Sequence, residues 1–119
     1  MDQKALGIHG EQLAVGHLRS LGYNILCTNW RFGKIELDII ASNNQVISFI
    51  EVKTRENNYL GEPWQSVTIP KQNRIIKAAN HYIVENRVDL ECRFDIVSII
   101  HNSKYTEIEH LKDAFYAMA

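Results

Sequence analysis

The chain has 119 residues, 45% hydrophobic, 23% charged and 9% aromatic, with 13 Lys and Arg against 14 Asp and Glu for a net charge of −1. That length fits one domain able to bury about two-thirds of its unfolded surface without disulfide or metal staples, and it leaves no room for a second. The composition excludes a disordered chain, and no run approaches the roughly 18 apolar residues of a membrane span. The start lacks a basic segment followed by an apolar one, so a soluble, cytoplasmic protein with no membrane partner is expected.

Near-neutrality also disfavours a protein that coats nucleic acid indiscriminately. The charge is divided, however: residues 53–87 carry six basic and three acidic side chains, residues 89–119 three basic and six acidic. A neutral chain can therefore still present one basic face.

A first helix is predicted over residues 3–21, stopping at Gly22, which tolerates the left-handed conformation of a helix end. Gly7, Ala14, Leu18 and Leu21 recur at helical spacing and define a buried stripe. Glu11 falls on that stripe. A carboxylate aimed at a core needs a base, hydrogen bonds or a metal, whereas one at the stripe's edge reaches water, and position alone leaves both open. Residues 23–30 read as a strand, with Tyr23, Ile25 and Cys27 alternating against Asn24, Leu26 and Thr28. Arg31-Phe32-Gly33 then reads as a turn, residues 34–41 as a second strand, Ser42-Asn43-Asn44-Gln45 as a hairpin turn and residues 46–54 as a third strand.

The polar stretch over residues 55–69, with Gly61 and Pro63, predicts a surface loop that closes over a site. Thr68-Ile69-Pro70 is a helix entry, with Pro where its missing N–H costs nothing. The helix over residues 70–86 carries an apolar stripe at Ile75, Ala78, Ala79, Tyr82 and Ile83, with Arg74, Lys77 and His81 on another face. The nearly continuous apolar run at residues 93–100 predicts a strand covered on both sides. A shorter strand follows at residues 105–110, and the chain closes in a short helix or tail. This α-β-β-β-α-β-β order predicts a hairpin joined through a crossover helix to a parallel strand, giving a mixed α/β (α+β) sheet with flanking helices. Cys27 and Cys92 form no C-x-x-C and are expected as buried thiols rather than metal ligands or a disulfide.

Acids stand where the central strands should be apolar. In Ile35-Glu36-Leu37-Asp38-Ile39-Ile40, alternation puts Glu36 and Asp38 on one face and Ile35, Leu37 and Ile39 on the other; in Phe49-Ile50-Glu51-Val52-Lys53, Phe49, Glu51 and Lys53 share a face. A turn centred on Asn43-Asn44 sets Asp38 opposite Phe49 and Glu36 opposite Glu51, with all five side chains on one side of the hairpin. Asp38 and Glu51 are then diagonal neighbours about 7–8 Å apart, able to lean onto one cation. Glu36 against Glu51 is a like-charge pair that a cation, a proton or Lys53 must relieve. Such hard oxygen donors favour Mg²⁺ or Mn²⁺ over zinc, and the neighbouring lysine can stabilise charge developing on phosphate. The competing possibility is an exposed sheet face laced with cross-strand salt bridges. A slip of one residue would separate the groups.

Asp38 followed by Glu51-Val52-Lys53 resembles the D…(D/E)-x-K signature of restriction-endonuclease-like nucleases. The wider pattern resembles the YraN-like family of small bacterial proteins: Gly10-Glu11-x-x-Ala14, Leu21-Gly22-Tyr23, Asn29-Trp30-Arg31, Glu36-x-Asp38, Phe49-Ile50-Glu51-Val52-Lys53-x-Arg55, Lys71-Gln72, Ala78-Ala79-x-x-Tyr82 and Arg93-Phe94-Asp95. One departure is Ile35, where the family usually has Gly before the acid that Glu36 matches.

The resemblance implies a restriction-endonuclease-like αβββαβ core related to Holliday-junction resolvases. It makes Asp38 and Glu51 the principal ligands of Mg²⁺ or Mn²⁺, Lys53 the catalytic lysine and Glu11 the acid that completes the site. Glu36 has the alternative of pairing with Arg31 or Lys34.

Arg55, Lys71, Gln72, Arg74 and Lys77 are the candidates for nucleic-acid contact. For Lys71, Arg74 and Lys77 the alternative is a solvated basic face, and for Gln72 a hydrogen bond at the helix start. Trp30, Tyr59 and Trp64 could stack on unpaired bases, Trp30 fitting a core position better. His9 is the only histidine placed near the acids. Three functions follow: a metal-dependent endonuclease acting on DNA in preference to RNA, with branched or flapped structures as substrates; a non-catalytic nucleic-acid-binding module on a nuclease scaffold in recombination or repair; and a structural protein whose acidic face forms a homodimer interface. A homodimer is also admitted by analogy with resolvases.

Overall fold

The structure, a computed structural model, describes residues 1–116. Helix α1 spans Gln3–Ser20 and is capped by the Asp2 carboxylate, which accepts the Ala5 N–H at 2.7 Å. It ends as a Schellman motif. Gly22, at φ +89°, donates its N–H to Arg19 O and Tyr23 donates to Leu18 O, while Tyr23 and Leu18 pack together in one apolar cluster. The buried stripe is Leu6, Gly10, Ala14 and Leu18. The expected Gly7 and Leu21 are exposed, because residues four apart, in line with Ala14 and Leu18, face the sheet.

Five strands follow: β1 Asn24–Phe32, β2 Ile35–Asn43, β3 Val46–Arg55, β4 Glu91–His101 and β5 Thr106–Phe115, in the sheet order β1-β2-β3-β4-β5. The pairings are antiparallel except β3 with β4, which are parallel and joined through a single 3-10 turn, Pro63–Ser66, and helix α2, Ile69–Glu85. Thr68 caps α2, with Pro in its first turn. The helix–three strands–helix–strand order is the one expected from the sequence.

Two apolar clusters cover the two faces of the sheet. Ile75, Ala78 and Ala79 of α2 pack on Ile47, Phe49, Phe94 and Ile96, while Ala14 and Leu18 of α1 pack on Ile50, Val52, Val97 and Ile99. The alternation along β3 and β4 assigns successive residues to opposite helices, so both faces are covered at the centre of the sheet. Trp30 joins the α2 cluster edge-on to Tyr82, with ring centroids 5.4 Å apart, as its core alternative required.

Several local expectations are corrected. Arg31 and Phe32 belong to β1, which turns through Gly33 and Lys34; Gly33 takes φ +60°. After residue 110 the chain continues as β5 through Phe115 rather than turning into a helix, and residues 117–119 lie outside the described segment. Cys92 is exposed and Cys27 half-buried, and both thiols are free. Among the described residues no helix is long and apolar enough to cross a membrane.

Candidate metal centre

The β2–β3 hairpin pairs Asn43 with Val46 and Ile39 with Ile50, so its turn is Asn44-Gln45 and its register is shifted by two residues from the expected one. Ile40, not Asp38, opposes Phe49. A two-residue shift preserves the side to which each residue projects, and its larger effect is on where pairing stops. Beyond Ile39 and Ile50 the paired ladder ends, although β2 stays paired to β1 through Trp30–Leu37, Arg31–Glu36 and Phe32–Ile35. The first half of β2 thus leaves β3 and opens a notch in the sheet.

Asp38 sits at the mouth of the notch and accepts the Val52 N–H on Oδ2 at 2.9 Å, replacing a ladder bond with a side chain. The expected strict alternation of β2 fails at this residue. Leu37 and Ile40 pack toward α2 and Ile39 toward α1, so Ile35 and Leu37 do not share a face with Ile39. The neighbouring strand bends at the same level, where Asn29 takes the left-handed φ of +53°. That conformation is uncommon outside glycine, with Asn among the residues that tolerate it.

Acids reach the notch from three elements. Glu11 comes from α1, whose close approach depends on the preceding residue: a Cβ on Gly10 would overlap Thr54 Oγ1 of β3. Asn29 Nδ2 donates to Glu11 Oε1 at 3.0 Å and to Glu36 Oε1 at 2.9 Å, clamping the two acids. Arg31 Nη2 holds the other oxygen of Glu36 at 2.7 Å, the ion pair expected as an alternative for that residue. Carboxylate oxygens of Glu11, Glu36 and Asp38 all lie within 4.8 Å of one another. Asp38 also lies beside Glu51 of β3, close enough for that acid to act on its protonation.

Basic groups enter from the opposite face. Lys71 in the first turn of α2 places Nζ 2.7 Å from Oε2 of Glu51, whose side chain is 4% exposed. The contact is an ion pair without well-directed hydrogen-bond geometry. Lys53 is half-buried beside Lys71 and feels the charges of Glu51 and Asp38. A cleft of about 420 Å³ exposes this assembly to solvent, lined by Glu36, Asp38, Glu51, Lys71 and Arg74 among others.

Burial and crowding shift the protonation of these groups. Burial first, then the hydrogen bond and charge of Glu51, push Asp38 up to about 9, against the opposing Val52 N–H. Glu11 is raised by burial foremost and by the charges of Glu36 and Glu51, which together outweigh the Asn29 hydrogen bond. Lys53 is lowered, chiefly by burial and then by contact with Lys71. Burial also works against the Lys71 ammonium, but contacts with Glu51 and Lys53 outweigh it, and the net direction is upward. The notch therefore concentrates more negative charge than it neutralises, and Asp38 carries a proton near neutral pH.

The donor set suits a hard divalent cation. Mg²⁺ takes oxygen ligands at about 2.0–2.1 Å in an octahedron, which places ligand atoms about 3–4 Å from one another. Three carboxylate oxygens within 4.8 Å need only a small contraction to meet that spacing.

Other sequence candidates fall elsewhere. Gln72 donates to Val67 O at 3.1 Å, the helix-start hydrogen bond, and lines a separate apolar cavity with Trp64, Ile96 and Leu111. Arg55 borders a different cavity with Met1, Gln3 and Leu6. Lys77 is exposed on α2, Tyr59 is exposed in the loop after β3, and His9 packs against His101 with ring centroids 4.6 Å apart. Asn29 and the inward reach of Lys71 were not legible as site features. For the first, the signals were its place in the Asn29-Trp30-Arg31 match and the left-handed tolerance of asparagine, neither of which assigned it a role.

Asp95, a motif residue without an assigned role, is fully buried. It accepts from Arg93 Nε and Nη2, both at 2.9 Å, and from the Asp113 N–H at 2.9 Å, and it lies 2.8 Å from His110 Nε2; Arg93 Nη2 also donates to Tyr23 OH at 2.7 Å. Burial works to raise Asp95, but these bonds outweigh it and hold the carboxylate below its ordinary value. This network ties β4, β5 and the end of α1 together.

Fold and notch together define a small mixed α/β protein whose acids converge from a helix and two parted strands, with a lysine two residues beyond the last acid. The chain belongs to Uncharacterised protein family UPF0102, whose model matches residues 10–99, a span containing every residue of the notch. It is 45% identical over 111 residues to a UPF0102 protein of Flavobacterium psychrophilum, covering 93% of each chain. It is 46% identical to UPF0102 proteins of Christiangramia forsetii and Clostridium perfringens, over 97% and 94% of each chain respectively. The resemblance to the YraN-like proteins thus holds over nearly the whole sequence.

Proposed function

We propose that this protein is a metal-dependent nuclease that hydrolyses phosphodiester bonds in DNA in preference to RNA, with branched or flapped structures as substrates. The observation that carries the proposal is the parted β2–β3 hairpin, where Asp38 and Glu51 line an open cleft and Asp38 also gathers with Glu11 and Glu36, their carboxylate oxygens within 4.8 Å of one another. An acidic sheet face built only for salt bridges would not bury Glu51 or hold Asp38 protonated near neutral pH. The choice of DNA, and of branched forms, rests on the likeness to Holliday-junction resolvases.

Asp38, Glu51 and Glu11 would hold Mg²⁺ or Mn²⁺, with Glu36 adjacent. The ion supplies Lewis-acid polarisation of a phosphoryl oxygen and lowers the pKa of a bound water. Asp38 must release its proton to serve as a ligand. Lys53, held close to Glu51 and Asp38, is placed to stabilise charge developing on the phosphate. Asn29 fixes the orientation of Glu11 and Glu36. Arg74, exposed at the rim, is positioned to meet the nucleic-acid backbone.

The test is incubation with four-way, flapped, single-stranded and duplex DNA in Mg²⁺ or Mn²⁺, beside Asp38→Ala. Cleavage that requires the divalent ion and disappears in the variant supports the proposal. Cleavage unchanged in the variant rejects the assignment, and salt-sensitive binding without product points to a non-catalytic module instead.

A further inference from the structure

Lys71 lies in the first turn of α2, with its backbone N–H directed to the Thr68 cap at 3.4 Å, so its position relative to β3 is set by the helix start. From there its side chain runs inward to Glu51. The acid is 4% exposed, and Lys71 is its only ion-pair partner among the described residues. A carboxylate so deeply buried requires a countercharge when no metal is present. Lys53 does not replace Lys71 in that role, and its closeness to Lys71 works against its own charge. A divalent ion on Glu51 and Asp38 would supply the countercharge and bring two positive charges against this lysine pair. Lys71 is the one with somewhere to go, since it lies beside the rim residue Arg74 in the cleft, whereas Lys53 is anchored in β3.

We propose that Lys71 is a built-in place-holder: without metal its ammonium group occupies the Glu51 side of the ion's position, and on loading it is displaced into the cleft, where it binds a substrate phosphate. This rests on the metal site proposed above and adds that lysine and divalent ion compete for one carboxylate. No covalent bond of the chain is made or broken; one ion pair is exchanged for a coordination bond and a phosphate contact.

The test is Mn²⁺ binding by electron paramagnetic resonance for the wild type, Lys71→Met and Arg74→Met. Competition predicts about tenfold tighter binding for Lys71→Met, within the usual range for coupled sites, and near-wild-type binding for Arg74→Met, which removes the same charge from the same cleft but no Glu51 partner. Equal tightening by both variants, or none in Lys71→Met, overturns the place-holder while leaving the metal site standing. Failure of the wild type to bind overturns both.

Trace acylation of the unmodified protein with acetic anhydride, read by mass spectrometry, needs no folded variant. Faster labelling of Lys71 on adding Mg²⁺ supports displacement, and unchanged or slower labelling overturns it.

Discussion

Asp38→Asn should stabilise the metal-free protein, because the notch holds more negative charge than folding favours. Asparagine keeps an acceptor for the Val52 N–H and gains an N–H₂ that donates to Glu51 as protonated Asp38 does. Folded Asp38 titrates at about 9, against an ordinary value of 3.8, so folding takes up a proton between those values. With regard to this group, stability is fully present below pH 3.8, falls as pH rises and levels off above about 9. At about pH 7.5 the penalty has a ceiling of about 5 kcal/mol, at roughly 1.36 kcal/mol per unit.

Because the proton is shared with Glu51, we expect Asp38→Asn to recover about 2 kcal/mol, or about 8 °C in Tm for a chain of this size. Thermal unfolding followed by circular dichroism in chelator, from about pH 5 to about pH 8, reads the effect directly. The difference should widen with pH. In Mn²⁺ at about 100 times its Kd the wild type should gain roughly 2.7 kcal/mol while the variant gains little. A variant less stable than the wild type in chelator at about pH 7.5, or a gain independent of pH, would refute the reasoning.

The remaining expectations concern residues around the acids. Asn29→Ala removes the clamp between Glu11 and Glu36 and should weaken Mn²⁺ binding about tenfold, the usual scale for groups that orient metal ligands; an unchanged Kd by calorimetry would contradict the clamp. Gly10→Ala forces α1 away from Thr54 and should cost about 1–3 kcal/mol in urea unfolding, as overpacking does, and a neutral substitution would show that the helix is free to shift. Asp95→Asn leaves Arg93 without its buried partner and should cost about 3 kcal/mol with Mn²⁺ affinity intact. Since the Asp95 carboxylate is held below its ordinary value, its contribution is present above the unfolded value of 3.8 and lost as pH falls through the folded one. The gap between the wild type and Asp95→Asn should therefore close on acidification, and a gap constant to low pH would count against the assignment.

The helices were legible because their ends carry their own chemistry. Gly22 supplies the left-handed residue of a Schellman motif, and Thr68 and Pro70 supply the cap and first turn of α2. The grouping of Asp38 with Glu51 survived by a different route from the expected one: β2 parts from β3 at Asp38, whose carboxyl turns into the gap to accept the Val52 N–H, while Ile35 and Leu37 pack on the same side as Phe49. Parting of the hairpin was not legible. Alternation assumes an unbroken pleat, and the left-handed Asn29 and the side-chain hydrogen bond of Asp38 both break it. Lys71 was grouped with Arg74 and Lys77 as a candidate for phosphate contact, but which face of α2 overhangs the notch depends on how that helix packs on β2 and β3. Asp95 shows the same limit, since its partners come from β5 as well as β4 and become neighbours only in the folded sheet.

The account depends on the notch between β2 and β3 being a divalent-metal site. Titration of Mn²⁺ into the wild type, Asp38→Asn and Glu51→Gln, followed by electron paramagnetic resonance at about pH 8, where ligand deprotonation is least costly, tests this directly. The prediction is one site in the wild type that is lost in both variants. Absence of binding in the wild type, or binding that survives both substitutions, would contradict it.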